Sequence, residues 1–513
     1  MQNNITIAIE TAKAQGDEKM NIDGVEVQGV TSDSRKVKTG YVFVAIKGAE
    51  SDGNNYIGEA IQRGAVIIYT EHRITALGVM IKICSNARKT LADLCNAFYD
   101  HPSEKIRVIG ITGTNGKTTT SHIIYHALKE SGVSVGLIGT LDIKINNQTH
   151  FTELTTPSAE DIYYYLNKMV QQKVQVVVME VSSHGLKSER VHGIKFDIAI
   201  HTNIERDHLN YHKNMGDYIR SKKKLFDCLS PGKVALLNLD DNHSLELLTG
   251  NNGLIVVTYG LNVRATVTAS SIDTELNTTF HFCLQRGMTT LAGLEVEPFE
   301  YPFSINLLGK HNIYNSLAAI TCCLLLDLSC EEIAKNIKSF TGVTRRLEVI
   351  YKKGYTVIDD FSHNPASYGA VFESMQNLEY KNLHVINAIR GSRGADINQE
   401  NADVLKIWYE LLGMKTLMIT SSKDKTGKLD EVQVEEIGAF FKVLSEGSVN
   451  FEYVDHLSDA IETIIPRIEE GDLLLLLGAQ GMDKGKEIFL KDIGEEYMKL
   501  GNEYKSNDCI QIN

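Results

Sequence analysis

The sequence predicts an α/β protein in three domains, and three observations carry that prediction. Short apolar runs of strand length alternate with longer helical stretches, the pattern of a mostly parallel sheet covered by helices. A Gly-rich turn, GITGTNGKTTT at residues 110–120, stands between one such strand and one such helix. The chain has 513 residues, about three domains at ~150 residues each. Lys plus Arg total 52 and Asp plus Glu total 65, a net charge of −13, which argues against nucleic acid as the main partner because that affinity comes from clustered cations. With 43% hydrophobic and 23% charged residues the chain has enough apolar surface for cores and is not globally disordered.

The first part, residues 1–104, reads as strands at 41–46, 65–69 and 79–83 followed by a helix at 86–99, and His101-Pro102-Ser103 marks a break. A second domain spans 105–340: a strand at 106–111, the Gly-rich turn, a helix from 118 to 131, strands at 133–138 and 176–179, and helices at 311–326 and 331–340. A third α/β domain spans 341–513, with strands at 356–359, 383–387, 416–420 and 473–477 separated by helices and a polar tail after Leu500 that is expected to fray. The eight cysteines form no C-x-x-C pair, so they read as small buried side chains in a reducing compartment. The first twenty residues lack the basic region and apolar core of a secretory signal. The longest apolar stretch, 317–326, is far short of the ~20 residues that span a bilayer. The expected location is the cytoplasm, with no membrane span.

The Gly-rich turn carries the strongest chemical signal. Backbone N–H groups of the turn and the helix N-terminus can cradle phosphate oxygens; Lys117 would neutralise β/γ-phosphate charge and the Thr118 hydroxyl would reach Mg²⁺. Glu180 ends the apolar run 176–179, where a carboxylate serves either as a metal ligand at the sheet's carboxyl edge or as a helix cap or surface ion-pair partner. His208 lies in HTNIERDHLNYH at 201–212, which gathers acids, amides and imidazoles after another strand. Lys222, in YIRSKKKLF at 218–226, reads either as part of a solvated basic face or as a lysine that reacts with CO₂ to a carbamate, an anionic oxygen ligand suited to Mg²⁺.

Taken together, TGTNGKTTT at 112–120, LTTPS at 154–158, EVSSHGLKSERV at 180–191, the 201–212 segment and the 218–226 segment resemble, in order, the central domain of the Mur ligases, specifically the UDP-N-acetylmuramoyl-tripeptide synthetases. DSRKVKTGYVFVAIKG at 33–48 is similar to that family's N-terminal UDP-binding domain. GKHNIYNSLAA at 309–319 resembles the helix closing the central domain; RRLEVI at 345–350 and DDFSHNP at 359–365 resemble the entry to a Rossmann-like C-terminal domain. The resemblance covers essentially the whole chain. It implies an ATP- and Mg²⁺-dependent amide ligase of peptidoglycan precursor synthesis that adds a free amino acid to UDP-N-acetylmuramoyl-L-alanyl-D-glutamate through an acyl phosphate. It further implies ATP contacts from Thr112, Gly113, Thr114, Asn115, Gly116, Lys117, Thr118, Asn312, Arg346, Asp360 and His363. Metal ligation would come from Thr118, Glu180, His208 and carbamylated Lys222, and UDP-substrate contacts from Ser34, Thr155, Thr156, Ser182 and Arg190. Lys117, Glu180, His208 and Lys222 are the implied catalytic set.

The chain departs from the family in the C-terminal domain. Diaminopimelate-adding members carry Asp-Asn-Pro-Arg after a strand ending in Thr-Ser; here the stretch is Thr420-Ser421-Ser422-Lys423-Asp424-Lys425, and a Lys supplies a point charge rather than a bidentate fork. A basic segment, Arg390-Gly-Ser-Arg393-Gly-Ala-Asp396, stands where a Gly-rich loop is expected. The acceptor amino acid is therefore left open. Two other readings stand beside the tripeptide synthetase: a superfamily ligase of the folylpolyglutamate or cyanophycin type, and a catalytically silent nucleotide-binding regulator. The 33–48 segment argues against the first, and the Lys117, Glu180, His208 and Lys222 set argues against the second.

Overall fold

The run VVVME at Val176–Glu180 is β-branched for three residues and buried throughout, the composition of a strand covered on both faces of a parallel sheet. Its neighbours have the same character: Arg107–Thr112 pairs parallel on one side and Val135–Ile138 on the other. The computed structural model describes residues 9–12, 19–48, 51–75, 78–209, 211–261, 264–274 and 278–494. The tail beyond Leu500, with Cys509, lies outside the described residues. The chain divides into two units. One comprises Met1–Gly113, Ile124–Thr202 and Ile219–Thr258, the other Thr114–Ile123, Asn203–Tyr218 and Tyr259–Asn513.

The first unit holds three sheets. Ile9–Ala12, Lys19–Ile22 and Val25–Val27 form a small antiparallel sheet. Gly29–Thr31, Tyr41–Val44, Ala65–Thr70 and Met80–Ile83 are parallel in that order, with helix Ile57–Gln62 between the second and third strands and helix Ala87–Phe98 after the fourth. Asn86 caps the second of these helices by accepting the Lys89 N–H at 3.0 Å. The main sheet runs in the order Gln148–His150, Ile143–Ile145, Val135–Ile138, Val176–Glu180, Arg107–Thr112, Ile198–His201, Val234–Asn238, Ile255–Tyr259. The pairings from Val135–Ile138 through Val234–Asn238 are parallel, and two antiparallel strands extend one edge. Helix Ala159–Gln171 is capped by Ser158, whose hydroxyl accepts the Asp161 N–H at 3.2 Å.

The second unit begins with three antiparallel strands, Val267–Asp273, Thr278–Leu284 and Phe299–Ile305, followed by helices His311–Leu325 and Cys330–Lys338. Its six-stranded sheet has the order Glu348–Lys353, Tyr355–Asp360, Leu473–Leu477, Leu383–Ala388, Thr416–Thr420, Glu452–Val454, antiparallel only in the first pair. Helices Pro365–Met375, Ala395–Leu411 and Val434–Glu446 fill one face with Phe372, Leu405 and Phe440. Leu457–Ile464 and Gly485–Asp492 fill the other with Ile461 and Phe489. The α/β class and mostly parallel sheets expected from the sequence are what is observed.

Two expectations are refined. The antiparallel strands between 267 and 305 were not anticipated, because segments such as VTASSID are mostly polar and half exposed. Of the seven described cysteines, Cys95, Cys283, Cys322 and Cys323 are buried, whereas Cys84, Cys228 and Cys330 are partly exposed; all seven are free thiols. Among the described residues no helix is long and apolar enough to cross a membrane.

Candidate functional site

In the second unit the tip of the Gly-rich turn is held by the segment that follows strand Ile198–His201. The Thr114 N–H donates to the Asn203 carbonyl at 2.8 Å, and the Asn115 N–H donates to Asn203 Oδ1 at 2.9 Å. Asn203 Nδ2 returns a bond to the Asn115 carbonyl at 3.2 Å. Gly116 has φ +85°, a left-handed conformation that a side chain would strain. Helix Lys117–Glu130 starts immediately after it, so first-turn N–H groups without intrahelical acceptors face the turn. Lys117 Nζ donates to the Thr114 carbonyl at 2.9 Å, which keeps the ammonium over the loop where phosphate charge would draw it. Thr118 is buried on the first turn.

A polar chain leads from this loop into the C-terminal segments of the same unit. Asn115 Nδ2 donates to Asn364 Oδ1 at 3.3 Å, and Asn364 Nδ2 donates to Asp207 Oδ2 at 3.2 Å. His363 Nε2 lies 3.4 Å from the same oxygen, and Arg390 Nη1 donates to Asp207 Oδ1 at 3.2 Å. Asp207 is 2% exposed. Burial works to raise its pKa, but His363, His208 and Arg390 outweigh it and hold the carboxyl well below the usual range. Burial in turn pushes His363 down, with the Arg390 charge acting in the same sense and Asp207 against it. His208 is half-buried beside Asp207, with Nε2 3.6 Å from Asp207 Oδ2, and sits at φ +55°.

Nearby in sequence, the Asp360 carboxylate accepts the Leu347 N–H at 2.9 Å and the Ser362 hydroxyl at 2.5 Å. The Arg346 guanidinium stacks over Phe361 at 5.1 Å. Arg345, which the sequence reading passed over, is the more deeply held of the pair: it donates to Asp359, Asp483 and the carbonyls of Gly478 and Ala479. Asn312, expected near adenine, is buried, donates to the Leu308 carbonyl at 2.7 Å and accepts from Asn315 at 2.8 Å.

In the first unit Glu180 is fully buried, which excludes the surface ion pair considered for it. Its carboxylate accepts the Thr140 N–H at 3.1 Å and the Thr140 hydroxyl at 2.8 Å. Around it lie four other expected residues of this unit, Thr155, Thr156, Ser182 and Arg190. The Thr155 hydroxyl lies 3.1 Å from Thr140 Oγ1 and is placed to donate to it, the Thr140 proton being taken by Glu180. Thr156 Oγ1 donates to the Glu180 carbonyl at 3.0 Å and accepts the Ser182 N–H at 2.9 Å. Arg190 Nη1 donates to the Thr156 carbonyl at 2.7 Å, and Ser182 caps helix Ser183–Lys187. Ser34 is separate from this cluster: its hydroxyl donates to Glu59 Oε2 at 2.9 Å.

Lys222 is 1% exposed on helix Met215–Asp227. The solvated-face reading therefore fails for it, while Lys223 pairs with Asp227 and Lys224 with Glu189 near the surface. A buried ammonium carries a large desolvation cost unless compensated, and conversion to a carbamate changes the sign of that charge. Burial and the Lys222 charge together push His201 down to about 3.

Among the described residues no group of three or more His, Cys, Asp and Glu could hold a metal. Oxygen donors of the kind that suits hard Mg²⁺ are present in each unit taken by itself, the buried Thr118 hydroxyl in one and the buried Glu180 carboxylate in the other. Sequence reading missed Asn203, Asn364, Asp207 as an anchor, Thr140 and Arg345. The extra acid and amide in the 201–212 segment and the Arg pair at 345–346 were the available signals.

Three family descriptions match the chain: Mur ligase family, catalytic domain, at residues 26–99; Mur ligase middle domain at 111–323; and Mur ligase, glutamate ligase domain, at 345–480. A UDP-N-acetylmuramoyl-L-alanyl-D-glutamate–2,6-diaminopimelate ligase of Bacillus cereus is 35% identical over 94% of both chains, and the Listeria monocytogenes protein of the same name is 30% identical over 95% of both. A solved ligase of that name has TM-score 0.62 at 22% identity, covering 88% of this chain and 89% of its own. A ligase from Thermotoga maritima solved with ADP has TM-score 0.62 at 18% identity, covering 90% and 97%. The phosphate loop, the matched domains and the relatives agree: the chain belongs to the Mur ligase family and is an ATP-dependent ligase of the acid–amino-acid class.

Proposed function

We propose that the protein adds one free amino acid to UDP-N-acetylmuramoyl-L-alanyl-D-glutamate in the cytoplasm, using ATP and Mg²⁺. The observation that carries this reading is the hydrogen-bonded chain from Asn115 of the phosphate loop through Asn364 to Asp207, His363 and Arg390. It joins nucleotide-binding and C-terminal segments in the manner a two-step ligation requires. A carboxylate oxygen of the substrate attacks the γ-phosphorus of ATP, giving an acyl phosphate and ADP. The amine then attacks the acyl carbon, and the tetrahedral intermediate expels phosphate. Such chemistry depends on positioning and charge neutralisation rather than on a nucleophilic side chain.

In this reading Lys117 and the loop Thr112 to Gly116 hold the β- and γ-phosphates, Asn312 meets adenine, and Arg346, Asp360 and His363 contact the nucleotide. Thr118, Glu180, His208 and carbamylated Lys222 hold Mg²⁺, which when bound neutralises phosphate and carboxylate charge. Ser34, Thr155, Thr156, Ser182 and Arg190 hold the UDP-linked dipeptide. Residues 1–104, 105–340 and 341–513 serve as UDP-binding, ATPase and amino-acid domains. The relatives' names specify 2,6-diaminopimelate, but the stretch 420–425 differs. Asp424 is committed to capping helix Leu457–Ile464 through the Leu457 N–H at 2.8 Å, and Lys425 pairs with Asp424 at 3.3 Å.

The test is phosphate release from Mg-ATP and UDP-N-acetylmuramoyl-L-alanyl-D-glutamate across a panel of diaminopimelate, lysine, ornithine and the standard amino acids. Release dependent on one amino acid supports the reading and names the acceptor. Silence across the panel with ATP still bound refutes it.

A further inference from the structure

The loop between strand Leu383–Ala388 and helix Ala395–Leu411 carries two arginines with different fates. Arg393 turns back on its surroundings, donating to Asp430 Oδ1 at 2.9 Å and to the Ser392 carbonyl at 3.0 Å. Arg390 points the other way. It is 8% exposed, and its Nη1 donates to Asp207 Oδ1 at 3.2 Å and to the His363 carbonyl at 2.8 Å. Its Nε is buried without a hydrogen-bond partner among the described residues. Asp207 has other donors in the His208 N–H at 2.8 Å and Asn364 Nδ2 at 3.2 Å, so neutralising that carboxylate does not use the whole guanidinium. A buried donor without an acceptor is unfavourable, and an anion beside it removes the penalty.

The loop is held rigidly. Glu436, 2% exposed, accepts the N–H groups of Ser392, Arg393 and Gly394 at 3.0, 2.8 and 2.7 Å and that of Gln433 at 2.9 Å. Three successive backbone donors around one carboxylate form a filled anion nest. Asn398 Nδ2 donates to the Arg390 carbonyl at 2.8 Å. The guanidinium is thus fixed two hydrogen-bonded side chains away from Asn115 of the phosphate loop, through Asp207 and Asn364.

Resting on the ligase reading above, we propose that Arg390 is a catalytic residue that stabilises the charge of the transferring phosphoryl group, with its guanidinium oriented by Asp207 and its loop by Glu436 and Asn398. A planar guanidinium matches phosphate oxygens bidentately, and an arginine supplied within the same chain is a known device for transferring phosphoryl groups. The sequence signal was the basic segment 390–396, whose function neither the phosphate loop nor the metal-ligand set absorbs.

Arg390→Gln and Arg390→Lys test the assignment, the lysine variant retaining a cation beside Asp207 should the glutamine variant fail to fold. With thermal unfolding monitored, both variants should lose kcat by about 10³-fold while the KM for the UDP substrate changes little. A kcat within about fivefold of the parent protein would overturn the proposal, given the ~10³-fold expectation. A second readout needs no acceptor: the affinity for Mg-ADP with and without aluminium fluoride, a mimic of the transferring phosphoryl group. Aluminium fluoride should tighten ADP binding to the parent protein and not to the variants; equal tightening in all three would overturn the proposal. A parent protein silent with every acceptor defeats the ligase reading, while the fluoride measurement still decides the role of Arg390.

Discussion

Replacing Gly139 by alanine should abolish most turnover while leaving the protein folded. Gly139 lies just beyond strand Val135–Ile138 and is buried. A Cβ added there would overlap Glu180 Oε1 and stand 3.2 Å from Glu180 Cδ. Its backbone φ is outside the left-handed range, so alanine meets a problem of space and not of conformation. To restore an ordinary contact the carboxylate must retreat by roughly 1 Å, a displacement that can lower turnover about 100-fold when the group orients reacting partners. The retreat also breaks the bond from the Thr140 N–H. A bond to a charged group contributes about 1.5–3 kcal/mol, offset by the ~0.4–1 kcal/mol that alanine contributes by restricting the unfolded chain. The net expectation is a stability loss of about 1–2 kcal/mol from these two effects, read by urea unfolding, beside the much larger loss of amino-acid-dependent phosphate release. Gly58, whose added Cβ meets nothing within 4 Å, supplies the control: Gly58→Ala should leave turnover unchanged and raise stability by about 0.4–1 kcal/mol. Turnover in Gly139→Ala equal to that of the parent protein would refute the reasoning that ties Glu180 to the reaction.

Three further predictions follow the same logic. Lys222→Ala should lose turnover by about 100-fold, as for loss of a group that holds a metal, and added CO₂ or a short carboxylic acid should restore part of it; absence of rescue would rule out a carbamate. Asp359 is pushed up to about 7, chiefly by burial, which the Arg345 charge only partly opposes. The folded state therefore retains a proton that the unfolded chain releases above about 4, and this residue's contribution to stability falls as pH rises from about 4 to about 7. Stability of the parent protein relative to Asp359→Asn, followed by urea unfolding at pH 5, 6, 7 and 8, should decline up to about pH 7 and then level off; a flat difference would contradict the assignment. Ser329→Ala removes a capping box in which the Ser329 hydroxyl accepts the Glu332 N–H at 3.3 Å and Glu332 accepts the Ser329 N–H at 3.1 Å. It should cost about 1 kcal/mol of stability with unchanged kcat.

The α/β architecture was legible because apolar runs such as 176–179 and 473–477 are too continuous for exposed strands and too short for helices. The phosphate loop was legible because Gly, Lys and Thr at that spacing serve one chemistry. The fate of Lys222 was also within reach. Tyr218, Ser221, Lys222, Leu225 and Phe226 share one helical face and are all buried, so the period of 3.6 separates Lys222 from Lys223 and Lys224. What escaped depends on pairings distant in sequence. Nothing local to RRLEVI shows that Arg345, and not Arg346, would reach Asp359 and the carbonyls of Gly478 and Ala479. Likewise, Glu436 looks like an ordinary N-terminal helix acid until the fold brings the N–H groups of Ser392, Arg393 and Gly394 onto it.

The most direct test of the central claim follows an oxygen atom. UDP-N-acetylmuramoyl-L-alanyl-D-glutamate labelled with ¹⁸O in the glutamyl carboxylates, incubated with Mg-ATP and the amino acid that supports turnover, should yield inorganic phosphate carrying one ¹⁸O atom per molecule of amide formed. The label reaches phosphate because the attacking carboxylate oxygen becomes the bridging oxygen of the acyl phosphate and leaves with phosphorus. Unlabelled phosphate released alongside amide would contradict an acyl phosphate, and with it the two-step ligation assigned to this site.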